Sequence, residues 1–323
     1  MPDRGPTGGG QITCLGTIAA DALRDVSAGR VAAVFERSFY IAVADAWLCF
    51  GPEALGLGPL NVVCALRDGR DWRALDVRLG SAVRVTPTQV RIAPGLTLAR
   101  AGARFWTPPS PGDWTPASLA TGLDALEDRI PAMLPDDGLG ALALRDVPPR
   151  HRTTLVRSAL ESLHRVVPAL PELLATGRPS PALVPALRPL IGLGPGLTPS
   201  GDDVLGGLLL TLHLLGRGET GRSLFAGLQS QLRSDTNPIS IAHIRAAAAG
   251  AGSAALHETL NAVLTGDQAA MADGLRRLDS LGHTSGWDSL AGAVLMLRAC
   301  ANITPARRAR PSPAVAGIAA LSV

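Results

Sequence analysis

Two stretches of the chain repeat one arrangement of hydroxyls, carboxylates and glycines. Gly196-Leu-Thr-Pro-Ser-Gly-Asp-Asp-Val-Leu-Gly-Gly-Leu-Leu-Leu-Thr-Leu212 aligns with Gly282-His-Thr-Ser-Gly-Trp-Asp-Ser-Leu-Ala-Gly-Ala-Val-Leu-Met-Leu297 once Pro199 is set aside. From the serine onward both read S-G-x-D-x-L-x-G-x-x-L-x-L, with equivalent positions 85 residues apart, the mark of an internal duplication. Ser200, Asp203, Gly207 and Leu210 fall on one helix face, and Ser285, Asp288, Gly292 and Leu295 repeat it. A helix start with free N–H groups, flanking glycines and a hydroxyl is a generic anion site. The chemistry expected is the cradling of a phosphate, carboxylate or carbamoyl group between two converging helix starts. The plainer reading is that each Ser-Gly-x-Asp only caps its helix.

Three features favour the functional reading. They are the duplication, the glycine-rich approach Gly192-Leu-Gly-Pro-Gly196, and the adjacent carboxylates Asp202 and Asp203. Two carboxylates exceed what a cap needs, and beside an anion one of them must work as acid, base or metal ligand. Mg²⁺ bridging Asp202 or Asp203 to a phosphate would suit such a pair. The spacing does not choose between the two aspartates. Between the copies, Thr236-Asn-Pro-Ile-Ser240 opens another helix. It reads either as a third contributor to the same pocket or as an ordinary cap.

The elements that must position these groups fall into two halves. Short runs rich in Val, Ile and aromatics predict strands over 31–37, 39–44, 47–50, 61–66, 74–78, 82–86 and 89–92, separated by turn formers. Helical apolar spacing then dominates over 117–128, 151–175, 182–191, 200–216, 221–233, 239–249, 254–264, 268–281 and 285–301. The expected fold is α+β, with an N-terminal antiparallel sandwich or barrel-like domain followed by a mostly helical domain. The expected boundaries are a flexible tail over 1–15, the β domain over 16–106, a Pro-rich linker over 107–116, the helical domain over 117–303 and a flexible tail over 304–323. In the first repeat Thr198 is expected as N-cap with Pro199 at the first helical position. In the second, Thr284 or Ser285 would cap.

Composition removes several chemistries. The 30 basic residues are all Arg, which excludes a lysine Schiff base and the lysine-bearing phosphate loop. Anion recognition then falls to backbone N–H groups, hydroxyls and Arg, and Arg245 is a candidate clamp. A net charge of +3 and 3% aromatics give no nucleic-acid footprint. The four cysteines form no C-x-x-C pair and read as reduced thiols of a cytoplasmic protein. No apolar run is long enough to span a bilayer.

Other motifs carry less. His257-Glu258-Thr-Leu-Asn261 has Asn where a zincin helix needs its second His. His213 reads as a core or groove residue. His283, inside the second repeat, is a candidate acid, base or hydrogen-bond donor. Gly51-Pro-Glu-Ala-Leu-Gly-Leu-Gly-Pro59 reads as a plain loop, with lining of the same cleft as its other reading.

Taken together, the blocks 192–203, 236–240 and 282–292 resemble the signature of an AllH-like family, one branch of which resembles a subunit of the oxamate carbamoyltransferase of anaerobic allantoin breakdown. The resemblance spans roughly the last two-thirds of the chain. It implies carbamoyl transfer between a donor such as oxalurate and phosphate, making or using carbamoyl phosphate, together with an FdrA-like partner subunit. No cofactor is obligatory for that chemistry, and a homo-oligomer is open. The expectation is therefore a transferase-type enzyme or catalytic subunit. Gly194, Gly196, Thr198, Ser200, Gly201, Asn237, Ser240, Arg245, Ser285 and Gly286 would bind the substrate. Asp202, Asp203, Asp288 and His283 would do the chemistry. The rival is a non-catalytic ligand-binding or scaffold subunit.

Overall fold

The computed structural model describes residues 8–69 and 71–303. Nine strands come first: β1 (Gly8–Gly16), β2 (Ser27–Val34), β3 (Phe39–Val43), β4 (Ala46–Gly51), β5 (Asn61–Leu66), β6 (Ala82–Val85), β7 (Gln89–Ile92), β8 (Leu96–Ala99) and β9 (Arg104–Trp106). One short helix, α1 (Thr17–Ala22), follows β1. The strand order is β5-β4-β3-β2-β6-β7-β8-β1-β9, and β1 also pairs with β5, so eight strands close into a barrel. Strand β9 extends the same edge of β1 beyond the reach of β8. Closure leaves no long unpaired edge, and Ile12, Ile41, Leu48, Val62, Val83 and Leu98 fill the interior.

The α+β class stands, and the barrel differs from expectation in four ways, the first being that β8 and β9 lie outside every predicted run. Gly8–Gly16 is a full strand at the seam, not part of a tail; its glycine-rich start hid the alternation that follows. The sheet is mixed, because β1 runs parallel to β8 and β9, and β4 runs parallel to β5. The run 74–78 forms no strand, since Trp72–Ala74 is a turn of 3-10 helix capped by Asp71. Residues 1–7 and 304–323 lie outside the described residues.

Ten helices follow: α2 (Pro116–Arg129), α3 (Thr154–Val166), α4 (Leu170–Thr176), α5 (Leu183–Leu187), α6 (Ser200–Leu214), α7 (Gly218–Asp235), α8 (Pro238–Ala248), α9 (Ala254–Thr265), α10 (Gln268–Asp279) and α11 (Ser285–Ile303). They share one apolar core. The segment 107–116 is packed and not a free linker. Its Gly112 N–H donates to Asn261 Oδ1 at 2.6 Å, and Trp114 lies on the helical core. Thr115 caps α2 reciprocally with Ser118, which fixes where the helix begins.

Helices α6 and α11 carry the two repeats, and they cross at their glycines. A Cβ on Gly207 would lie 1.8 Å from the Ser289 carbonyl oxygen, and one on Gly292 would lie 1.9 Å from that of Val204. Val204 and Ser289 are themselves equivalent positions of the repeat, so the crossing is symmetric. Only glycine lets the two backbones touch this way.

The barrel docks on the helical region through Tyr40, Cys49 and Ile239, with Trp47, Leu55 and Leu197 around them. Ala254 N–H, at the start of α9, donates to the Leu57 carbonyl at 2.8 Å. The Gly51–Pro59 loop is thereby drawn against the helices.

Candidate functional site

The crossing of α6 and α11 brings the two repeat starts face to face. Thr198 Oγ1 and Ser285 Oγ lie 3.0 Å apart. Above this junction, between barrel and helices, is a cavity of about 310 Å³, the size of a small-ligand site. From the helical side Thr198, Asp202, Asp203, Ser240, His243, Ser285 and Gly286 line it; from the barrel side Tyr40, Cys49, Leu55, Pro59 and Asn61 do. The Gly51–Pro59 loop thus lines the cleft through Ala54, Leu55, Gly58 and Pro59.

The pairing of the repeats extends to their carboxyls. The Ser285 and Thr198 hydroxyls sit against Asp203, while the Ser200 and Thr284 hydroxyls sit against Asp288. Each aspartate is thus served by the serine of the other copy. Burial, and then the Asp288 charge, push the Asp203 carboxyl well above its usual range against the pull of those hydroxyls. Burial also raises Asp288, against hydrogen bonds from the Leu139 and Gly140 backbone. Asp203 Oδ2 and Asp288 Oδ2 are buried without a hydrogen-bond partner. Burial without a partner favours the uncharged form of a carboxyl.

Asp202 and Asp203 have separate tasks. Asp202 is 1% exposed and fully used. Its Oδ1 accepts from Gly192 N–H at 2.8 Å; its Oδ2 accepts from Ser240 Oγ at 2.6 Å and from the Thr236 hydroxyl. It therefore ties the glycine-rich loop and the start of α8 to the first repeat. Asp203, one residue on, also lines the cavity, but its Oδ2 has no such partner.

Several predicted residues serve the frame instead of the cavity. Asn237 caps α8 by accepting from Ile239 and Ser240 N–H, and its Nδ2 donates to the Leu197 carbonyl at 2.8 Å. Thr198 does not cap α6. Pro199 is its N-cap, which frees the Thr198 hydroxyl to meet Ser285. Gly201 N–H donates to the Leu193 carbonyl at 2.9 Å, so it does not point at a ligand. Ser200 is buried behind the cavity wall beside Asp288. Asp288 Oδ1 accepts from Leu139 N–H at 2.5 Å and holds the 138–140 turn, not a ligand. Gly194 and Gly196 shape the loop but do not line the cavity; both have positive φ. Thr236–Ser240 does contribute, since Ser240 lines the cavity, although the same serine also secures Asp202.

Two expected ligands lie elsewhere. Arg245 projects from α8 into a separate groove with Asp45, Trp47 and Phe225. His283 is 82% exposed and sits 3.3 Å from Asp137 on the outer surface. Among the described residues that line the cavity, none is Arg. The zincin-like run forms ordinary contacts, with His257 Nε2 accepting from Gly252 N–H and Glu258 pairing with Arg277. Among the described residues no group of three or more His, Cys, Asp or Glu side chains could hold a metal ion.

Sequence reasoning missed Tyr40, His243 and Cys49. His243 follows Ser240 by three positions and shares its face with Ile244 and Ala247, all on the cavity; that spacing was readable. Tyr40 is the chain's single tyrosine and had no motif around it. Its hydroxyl lies 3.1 Å from His243 Nε2. Burial lowers the His243 pKa to about 4, so the imidazole is neutral, and burial raises Cys49 to about 12, so its thiol is no nucleophile at neutral pH.

The fold is thus a closed mixed barrel docked on a duplicated helical core, with a cavity at the join. Residues 190–297 match the family model of the oxamate carbamoyltransferase subunit AllH. The match takes in both repeats and the 236–240 segment. It is narrower than the span over which the motifs suggested a resemblance, and it leaves the barrel outside. No solved structure matches the chain. No helix among the described residues is long and apolar enough to cross a membrane.

Proposed function

We propose that this chain is a subunit of an oxamate carbamoyltransferase-type complex and binds a carbamoyl-bearing substrate in the cavity between barrel and helices. The observation that carries the reading is Asp203, which lines the cavity and keeps a buried oxygen without a hydrogen-bond partner. Carbamoyl transfer to phosphate forms a bond between a phosphate oxygen and the carbamoyl carbon. It breaks the bond from that carbon to the departing nitrogen, which must take a proton. A protonated Asp203 gives that proton, and the proton shed by the attacking phosphate restores it. Thr198 and Ser285 hydroxyls orient the carboxyl. Asp202 and Asp288 support the site and touch no substrate.

A second reading is favoured by how many polar groups are spent internally. Asp202, Asn237 and Asp288 all bond within the chain, as a ligand-sensing or scaffold subunit would also require. One experiment separates the two. The chain is purified alone and with its co-purifying partner, and carbamoyl phosphate formation from oxalurate and phosphate is followed. Transfer that falls a hundredfold or more in Asp203→Asn supports the catalytic reading. Undiminished transfer in that variant leaves the scaffold reading.

A further inference from the structure

The alternation of β3 sends Phe39 and Ile41 into the barrel core and Tyr40 outward, against Cys49 and the start of α8. Tyr40 is 7% exposed, yet it lines the same cavity as Asp203. Its hydroxyl meets the Cys49 thiol on the barrel side and reaches His243 on the helical side, whose ring stands edge-on to it at 6.3 Å between centroids. A neutral imidazole has one nitrogen that accepts and one that donates. When Nε2 accepts, the Tyr40 O–H donates to it, and the phenol oxygen, which also meets the Cys49 thiol, keeps a lone pair for an N–H donor. Asp203 lines the same cavity, and its carboxyl, when protonated, offers an O–H to a carbonyl. An acceptor for N–H and a donor for C=O, set in a largely apolar wall (Leu55, Leu197, Ile244 and Leu256), complement one kind of group, the uncharged primary carboxamide.

We infer that Tyr40, held by His243, is a substrate-positioning residue of the barrel, and that Tyr40 and Asp203 bracket a carboxamide-type end of the ligand. The binding site is then shared between the barrel and the AllH-matched region. This rests on reading the cavity as the carbamoyl site. His243 acts through Tyr40 and is a positioning residue in turn.

The test uses the full chain and two uncharged probes, propionamide and N,N-dimethylpropionamide, which keeps the carbonyl but has no N–H. Binding is read by ligand-detected NMR titration. The wild-type chain is expected to prefer propionamide by roughly three- to tenfold, the worth of one hydrogen bond. Tyr40→Phe is expected to bring that preference close to one while leaving the affinity for the dimethyl probe within about twofold. His243→Gln, which keeps an acceptor, retains more of the preference than His243→Leu. A merely structural role for Tyr40 would weaken both probes together, and that result overturns the inference. So does a Tyr40→Phe chain with the wild-type preference. If propionamide does not bind while the complex transfers carbamoyl groups through Asp203, the inference fails and the functional reading stands. If the preference is present and lost in Tyr40→Phe while no transfer is found, the functional reading fails and the bracketing stands.

Discussion

Gly207 of the first repeat and Gly292 of the second each abut a carbonyl of the opposite helix, and the two abutted residues, Ser289 and Val204, are equivalent as well. The duplication is thus a packing device before it is a binding device. It lets α6 and α11 touch backbone to backbone, and this closeness brings Thr198 to Ser285 and Asp203 under the influence of Asp288.

Gly207→Ala and Gly292→Ala should each destabilise the fold by about 1–3 kcal/mol, the usual cost of overpacking a close-fitting core. A methyl at 1.8 or 1.9 Å from a carbonyl oxygen cannot be accommodated unless the helices part. Urea denaturation checks this. Gly206→Ala is the control, because a Cβ there meets nothing nearer than 3.9 Å. Equal stability of all three variants would mean that the crossing is looser than described.

Neighbouring aspartates should respond in opposite ways. Asp202→Asn loses charge-assisted hydrogen bonds to Gly192, Ser240 and Thr236, and unfolding free energy should fall by about 2–4 kcal/mol. Asp203→Asn replaces a buried carboxyl, whose uncharged form burial favours, by its near-isostere, so stability at neutral pH should hold or rise while carbamoyl transfer is lost. Denaturation curves paired with activity assays distinguish the two. A stability loss confined to the Asp203 variant would reverse the assignment.

Much of this was legible in the sequence, and the remainder was not for identifiable reasons. The nine long helical patterns were readable because apolar spacing and helix-start residues such as Pro238 and Ser253 agree locally. The repeat pointed to a convergence that the Thr198–Ser285 contact now locates. The difference between Asp202 and Asp203 was hidden, because it depends on where the Gly192 loop and Thr236 return in space. Strand β1 was hidden too: Gly8, Gly9 and Gly10 have no side chains to alternate, and its pairing partners lie about 47 or more residues away. Tyr40 could not be placed, since its partner His243 is 203 residues distant.

Stability should depend on pH with two opposing contributions. A folded-state pKa raised above the unfolded value, as for Asp203 and Asp288, means that the unfolded chain holds fewer protons once the pH exceeds about 4. Stability from these groups then falls as pH rises toward their folded pKa values. His243 and His257, lowered to about 4 from 6.5, do the reverse. Their contribution is present above 6.5 and is lost as pH falls toward 4. The two sets oppose each other between about 4 and 6.5; above that range the carboxyl slope persists where the folded pKa values reach that far, and the raised Cys49 thiol adds to it near the alkaline end. Asp203→Asn should flatten the slope on the alkaline side, and His243→Gln should flatten the rise between 4 and 6.5. Denaturation midpoints across pH 4–9 measure both. An Asp203→Asn curve parallel to wild type would show that this carboxyl is ionised in the folded protein.

Arg245 and His283 are the side chains whose types most suggested substrate binding, and neither should matter to it. Arg245 opens into the groove with Trp47 and Phe225, on the side of α8 away from the Ser240, His243 and Ala247 face. His283 contacts Asp137 in the open, where a polar contact of this kind contributes little to stability. Arg245→Ala and His283→Ala should therefore leave the affinity for a cavity ligand within about twofold and stability within about 0.5 kcal/mol. Propionamide titration and urea denaturation measure these. Tyr40→Phe and Asp203→Asn serve as positive controls in the same assay. A loss of ligand affinity in Arg245→Ala comparable to theirs would move the binding site to the outer groove and remove the cavity from the account.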